Sequence, residues 1–182
     1  MTKPTFASIS FKARQRGASL IEIISYLGVA AIVIIGAVML LSGAFSSANS
    51  NRAIQEISAL QLAVKKLYMG QTAGYGAASM NEQLIKAGQV PSTLNHVTAA
   101  PWSITNAWNG AVTVSGNSTT FEIAYGSIPQ NICIEVLTGL GTQGWNAIMA
   151  GDTGATAVAL PVTVAAATTA CATTNIIRFR ST

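Results

Sequence analysis

From Ile23 to Asn51 the sequence carries no charged residue, and the heart of that run, Ile23 to Leu41, is nearly all Ile, Val, Leu, Ala and Met. No other feature limits the fold as much. At about 1.5 Å of rise per residue, about 20 helical residues cross a bilayer core of about 30 Å. Lys12, Arg14 and Arg16 precede the run, and the first 21 residues contain no acid. That bias holds the N-terminus in the cytoplasm and sends the rest of the chain across. Glu22 stands at the mouth of the span, where a carboxylate is costly unless something pairs with it.

The basic stretch ending in Gly17, then Ala18, then Glu22 and the apolar run, together resemble the leader and N-terminal helix of a type IV pilin. The resemblance implies that a membrane peptidase cuts after Gly17, that the new amine of Ala18 is methylated, and that Glu22, the fifth residue after the cut, opens a hydrophobic helix. The leader of about 17 residues is long and the mature chain starts with Ala rather than Phe, departures that resemble the b-subclass. An ordinary signal anchor carrying a Glu is the plainer reading of the same residues.

Of ten Lys and Arg, the leader holds Lys3, Lys12, Arg14 and Arg16, so the remaining bases equal the six acids. A near-neutral mature chain gives no ground for a nucleic-acid surface. The two cysteines, Cys133 and Cys171, lie past the span, in an oxidising compartment by the topology above. There an even pair reads as a disulfide, with two buried free thiols as the alternative. Closing a loop of about 40 residues would stabilise by roughly 3–4 kcal/mol.

The polar stretch Ser46 to Asn51 does not end the helix. Ala53, Ile57, Leu60, Val64 and Leu67 recur at three- and four-residue steps, and Arg52 can pair with Glu56 one turn on. One helix is therefore expected from about 18 to 69, apolar all round over 18–45 and amphipathic over 46–70. Gly28, Gly36 and Gly43 interrupt it as sites of close contact or loosening. Gly70 and the turn at Gly74, Tyr75 and Gly76 end it. Residues 71–110 read as a loop with short helices, one at Asn81 to Lys86 capped by Asn81 or Ser79, and with Trp102 and Trp108 pinning the loop to a globular head.

Alternation at Val112, Val114, Phe121, Ile123 and Tyr125 predicts a hairpin over 111–125 turning at Ser115 to Ser118, with one face buried. The stretch Asn106 to Gly110, the hairpin, and Ile128 to Cys133 resemble the head of thin-pilus and bundle-forming b-type pilins. That resemblance implies a Trp-Gly turn into the sheet and a short helix carrying the first cysteine, with Asn109 where a second Gly is common. Ser127 as cap and Pro129 in the first turn suit that helix, ending near Leu137. Ala157 to Val164 reads as a strand that Pro161 demotes to an edge or bulge, and Ile176, Ile177 and Phe179 as a last strand.

No catalytic constellation is present. With one histidine, His96, in a polar loop, neither a His-rich metal site nor more than one His-based general base is available. Gly139 to Gly144 matches a dinucleotide fingerprint by letter but follows no clear strand. No cofactor, metal or catalytic residue is expected.

The expected fold is α+β: a leader, 1–17; a long helix whose exposed half packs on an antiparallel sheet of four to six strands; and a head over 111–182 with a disulfide-bounded region, 133–171. The resemblance implies a major structural subunit of a type IVb pilus. Its partners would be identical subunits in a helical homopolymer, a prepilin peptidase, an inner-membrane platform protein, an assembly ATPase and an outer-membrane secretin. The precursor would sit in the inner membrane of a Gram-negative bacterium with its head periplasmic, and the assembled fibre would be extracellular. Ala18 and Glu22 would dock subunits. A type II secretion pseudopilin or minor pilin, and a bitopic membrane enzyme or sensor, are the alternatives.

Overall fold

The computed structural model describes residues 19–182. Its first helix, α1, runs Leu20–Tyr68 without a break, as the periodicity predicts. Ser19 starts it by offering its carbonyl to the amides of Glu22 and Ile23, at 2.9 and 3.2 Å. The chain divides into two compact units, one up to Ser42 and one from Gly43 onward. In the second unit Ala53, Ile57, Leu60 and Val64 are buried, one stripe of α1 at helical spacing.

A second helix, α2 (Asn81–Lys86), has the expected bounds, but its cap differs. Met80 is the N-cap residue and makes no side-chain capping bond, while the Ser79 hydroxyl, one of the two expected caps, accepts from the Asn81 amide at 3.4 Å. The Asn81 side chain is drawn into the sheet instead, accepting from the Val114 amide at 2.9 Å and donating to the Val112 carbonyl at 3.1 Å. The expected loop over 71–110 also contains two short strands, β1 (Asn95–His96) and β2 (Ile104–Thr105), which extend the sheet. His96 thus lies in an edge strand, exposed.

The hairpin is β3 (Ala111–Asn117) and β4 (Thr120–Pro129), and its turn falls at Ser118 and Thr119. The expected turn at 115–118 is therefore two residues early. Strand pairing continues through Gly116, which has no side chain to collide with the Tyr75 carbonyl passing beside it. β4 also runs beyond Tyr125 through an irregularity between Tyr125 and Ile128. Ser127 sits in that irregularity with φ 57°, so Pro129, not Ser127, is the N-cap of the next helix, α3 (Gln130–Leu140). That helix runs one turn past the expected end because Leu140 is still buried in the core.

The Gly, Ala and Thr-rich stretch hides three elements: β5 (Ala147–Ala150), β6 (Thr156–Val158) and α4 (Val164–Ala170). The strand expected over 157–164 stops at Val158, and Val164 opens α4, whose Thr163 side chain caps the amide of Ala166 at 3.2 Å. The last strand, β7 (Thr174–Ser181), lies inside the sheet. All pairings are antiparallel, in the order β1-β2-β3-β4-β7-β5-β6, so there are seven strands where four to six were expected. Phe121, Ile123 and Tyr125 alternate into the core beside Ile177 and Phe179.

Cys133 and Cys171 form a disulfide across a separation of 38 residues, joining the first turn of α3 to the C-cap of α4. Buried Asn175 returns the chain to the sheet. It accepts from the Ala172 amide at 2.7 Å and donates to the carbonyls of Ala172 and Ile128 at 2.7 and 3.2 Å.

Candidate assembly surface

In the first unit the large side chains of α1 are exposed, from Leu20 and Ile21 through Ile32, Val33, Met39 and Leu40. Two hydroxyls among them are hidden locally. Ser25 and Ser42 each donate to the carbonyl four residues back, at 2.8 Å, and so offer no unmet hydroxyl to an apolar environment. Among the described residues α1 is the helix long and apolar enough to cross a membrane. Each large side chain moved out of water contributes about 1.5–3 kcal/mol, so this surface is stable in lipid or against other apolar helices. Glu22 is exposed in the first turn and is the one charge on that surface. Gly28, Gly36 and Gly43 leave open notches, with no atom near where a Cβ would stand. Gly17 and Ala18 lie outside the described residues.

The second unit is organised around a carboxylate that sequence spacing only half disclosed. Arg52 donates to Glu56 Oε1 at 2.8 Å, the expected one-turn pair. Arg52 also donates to the Thr93 carbonyl, and the Tyr125 hydroxyl donates to Glu56 Oε2 at 2.5 Å. Glu56 is 2% exposed, and this pair of bonds is what makes its burial tolerable. Two paired side chains of α1 thereby fix the loop at Thr93, through Arg52, and the strand at Tyr125, through Glu56. Burial first, and the bond to Glu56 next, push the Tyr125 phenol well above its ordinary 10.0, so it remains a donor. The folded state holds that proton more tightly, so the contribution is complete below pH 10 and declines above it. Tyr125→Phe should destabilise the head by about 1.5–3 kcal/mol, the range for a bond to a charged group, read from urea denaturation. It should also blunt the alkaline loss of stability.

The turn into the sheet has the form that the resemblance implies. Buried Asn106 accepts from the amides of Trp108 and Gly110 at 3.0 and 2.8 Å and donates to the Gly126 carbonyl at 2.7 Å. Asn109 has φ 57°, the left-handed region that Asn tolerates better than most side chains, which explains how it replaces a glycine. Gly110 is required, because a Cβ would run into the Gly126 carbonyl. Trp102 and Trp108 are partly buried against the core, as expected, and Lys86 lies 5.1 Å from the centre of the Trp102 ring.

The surface carries little other chemistry. Glu122 on β4 pairs with Arg180 and Arg178 on β7 at 3.0 and 3.2 Å. His96 Nδ1 is 3.5 Å from the Leu94 carbonyl, and the described residues hold no cluster of metal-ligating side chains. Gly139 to Gly144 spans the end of α3 and the loop after it, so it is not the strand-to-helix turn that a dinucleotide needs.

The chain is similar to known pilins. The chain is 28% identical to the major structural subunit of the bundle-forming pilus of Escherichia coli O127:H6, over 93% of this chain and 94% of that protein. The crystal structure of a type IV b pilin from Salmonella typhi superposes with a TM-score of 0.54 at 23% identity, covering 69% of this chain and 95% of that one. TcpA, a type IV pilin from Vibrio cholerae El Tor biotype, gives 0.53 at 16% identity, covering 74% of this chain and 99% of that one. These structures share the fold of a long N-terminal helix with an antiparallel head. The sequence profile described as PilS N terminal matches residues 47–182, which is most of the chain and nearly all of the head, and the chain therefore belongs to that family, the type IVb pilins.

Proposed function

We propose that the chain is the major structural subunit of a type IVb pilus. The observation that carries this is α1: it is apolar all round at its N-terminal half, charged only at Glu22, and continuous with an amphipathic half that belongs to the head. A helix of that kind is stable in a bilayer and equally stable in a bundle of its own copies, so it can leave the first for the second. The leader 1–17 is removed by a prepilin peptidase at Gly17, and Ala18 becomes the methylated N-terminus. The precursor waits in the inner membrane with its head in the periplasm. A platform protein and an assembly ATPase then add identical subunits to a helical fibre that leaves through an outer-membrane secretin. Residues 18–45 line the fibre core, and the head, tied by Cys133 and Cys171, forms its surface.

The test is direct. Glycine at the cut lets the protease reach the backbone, and a Cβ there obstructs it. Mass spectrometry of purified surface fibres should find this subunit beginning at Ala18, and Gly17→Val should leave only precursor in the membrane. Fibres whose subunits begin at Met1, or electron micrographs of wild-type cells without long fibres of this chain, would overturn the reading.

A further inference from the structure

Charged side chains are scarce on the head, and most are paired within it. Arg52, Lys86, Arg178 and Arg180 have acidic partners. Among the described residues of the head, exposed Lys65, Lys66, Glu135 and Asp152 have no salt-bridge partner. Two of these line grooves along α1. Lys66 lines a groove with Ala59 and Leu62 of α1 and with Val90 and Pro91 of the loop. Glu135 lines a second groove, between Ser50 and Ile54 of α1 and Thr138 of α3. The two sets of α1 positions are about 120° apart around the helix, so the loop runs along one side of α1 and α3 along the other. Lys65 and Asp152 stand outside both grooves.

We propose that these grooves are the two halves of one subunit contact, in which Lys66 of one copy pairs with Glu135 of the next. The inference rests on the pilus reading and names the residues that would join its heads. Opposite, unpaired charges on different sides of the same subunit are what a head-to-tail contact needs, since a contact of that kind uses two unlike surfaces. The apolar groove also leaves Leu62 69% exposed on the head, a side chain that a neighbour would cover. The Lys66 groove is centred twelve residues further along α1 than the Glu135 groove, so its partner is displaced by about 18 Å along the helix axis. A contact with that offset does not close into a ring, and its repetition gives an open filament.

The experiment compares wild type, Lys66→Glu, Glu135→Lys and the double reversal, with membrane abundance and surface fibre yield measured for each. Each single reversal should accumulate normally in the membrane but lower fibre yield by about ten-fold or more, because like charges then face each other. The double reversal should restore the yield. Unchanged yield in both singles overturns the pairing, as does a double variant that accumulates yet fails to assemble. A measurement on wild-type fibres is independent of variant folding: a carbodiimide should condense the Lys66 amine with the Glu135 carboxylate of another subunit, giving a ladder of linked chains and that cross-linked peptide. Fibres without this cross-link overturn the pairing whatever the variants do. A wild-type chain that makes no fibres at all is the separate failure, that of the pilus reading.

Discussion

Cells whose only copy carries Glu22→Ala should export and cleave the chain normally and display few or no fibres. In a bilayer Glu22 would lie at the mouth of the span, within reach of water. In a fibre core it would be surrounded by the exposed apolar side chains of neighbouring copies of α1, where an unpaired carboxylate costs several kcal/mol. On the proposed reading, cleavage after Gly17 would supply one new cation near that end of the helix, the amine of Ala18. The two are four residues apart in one chain, whereas a neighbour shifted along the axis could bring its amine to Glu22. The pair would then mark the depth at which an incoming subunit stops. Losing about 3 kcal/mol at each joint lowers the affinity of each step roughly a hundred-fold, which a growing polymer cannot absorb. Mixing in wild-type subunits should recover partial assembly. A normal fibre yield from Glu22→Ala alone would remove the docking role, and a block in cleavage would transfer the role of Glu22 to recognition by the peptidase.

Cys133→Ser should leave little intact head in the periplasm. The bond ties α3 to α4 across 38 residues that include β5 and β6, and its loss costs about 2–5 kcal/mol. Domains of this size are stable by only about 5–15 kcal/mol, so the unfolded fraction, and with it proteolysis, rises steeply. Cys171→Ser should behave the same way, and the double variant should be no worse than either single one, because one bond is lost in each case. Immunoblots of the steady-state level measure this. Two freely labelled thiols in intact wild-type fibres would contradict it.

Much of the fold is legible in the sequence where the signal is local. The extent of α1 follows from an unbroken apolar run joined to a 3.6-residue period, α2 from its polar start, and the hairpin from strict alternation. The segment after α3 was not legible, because β5, β6 and α4 are short, rich in Ala and Thr, and held by strand pairing within the sheet and by the disulfide rather than by pattern. The same division holds for the candidate site. Glu22 stands out because its neighbours are apolar. Arg52 and Glu56 show a one-turn spacing, but Tyr125 is 69 residues away from Glu56, and only the fold brings the phenol to the carboxylate. Lys66 and Glu135 become conspicuous only once the fold shows which charges of the head are paired and which of the others line grooves along α1.

The place of β7 sets a condition on how the head is made. Thr174–Ser181 form the strand between β4 and β5. Until that strand is in place, no pairing joins one piece of the sheet, β1 to β4, to the other, β5 with β6. Each piece then presents an open edge of unpaired amides and carbonyls, the kind of template that recruits strands from other chains. Completion depends on contacts that are distant in sequence and slow to close. For a subunit proposed to polymerise through its helix, this vulnerable interval is built into the topology. It ends only when Ser181, the last residue of the strand, reaches its buried position beside Phe121.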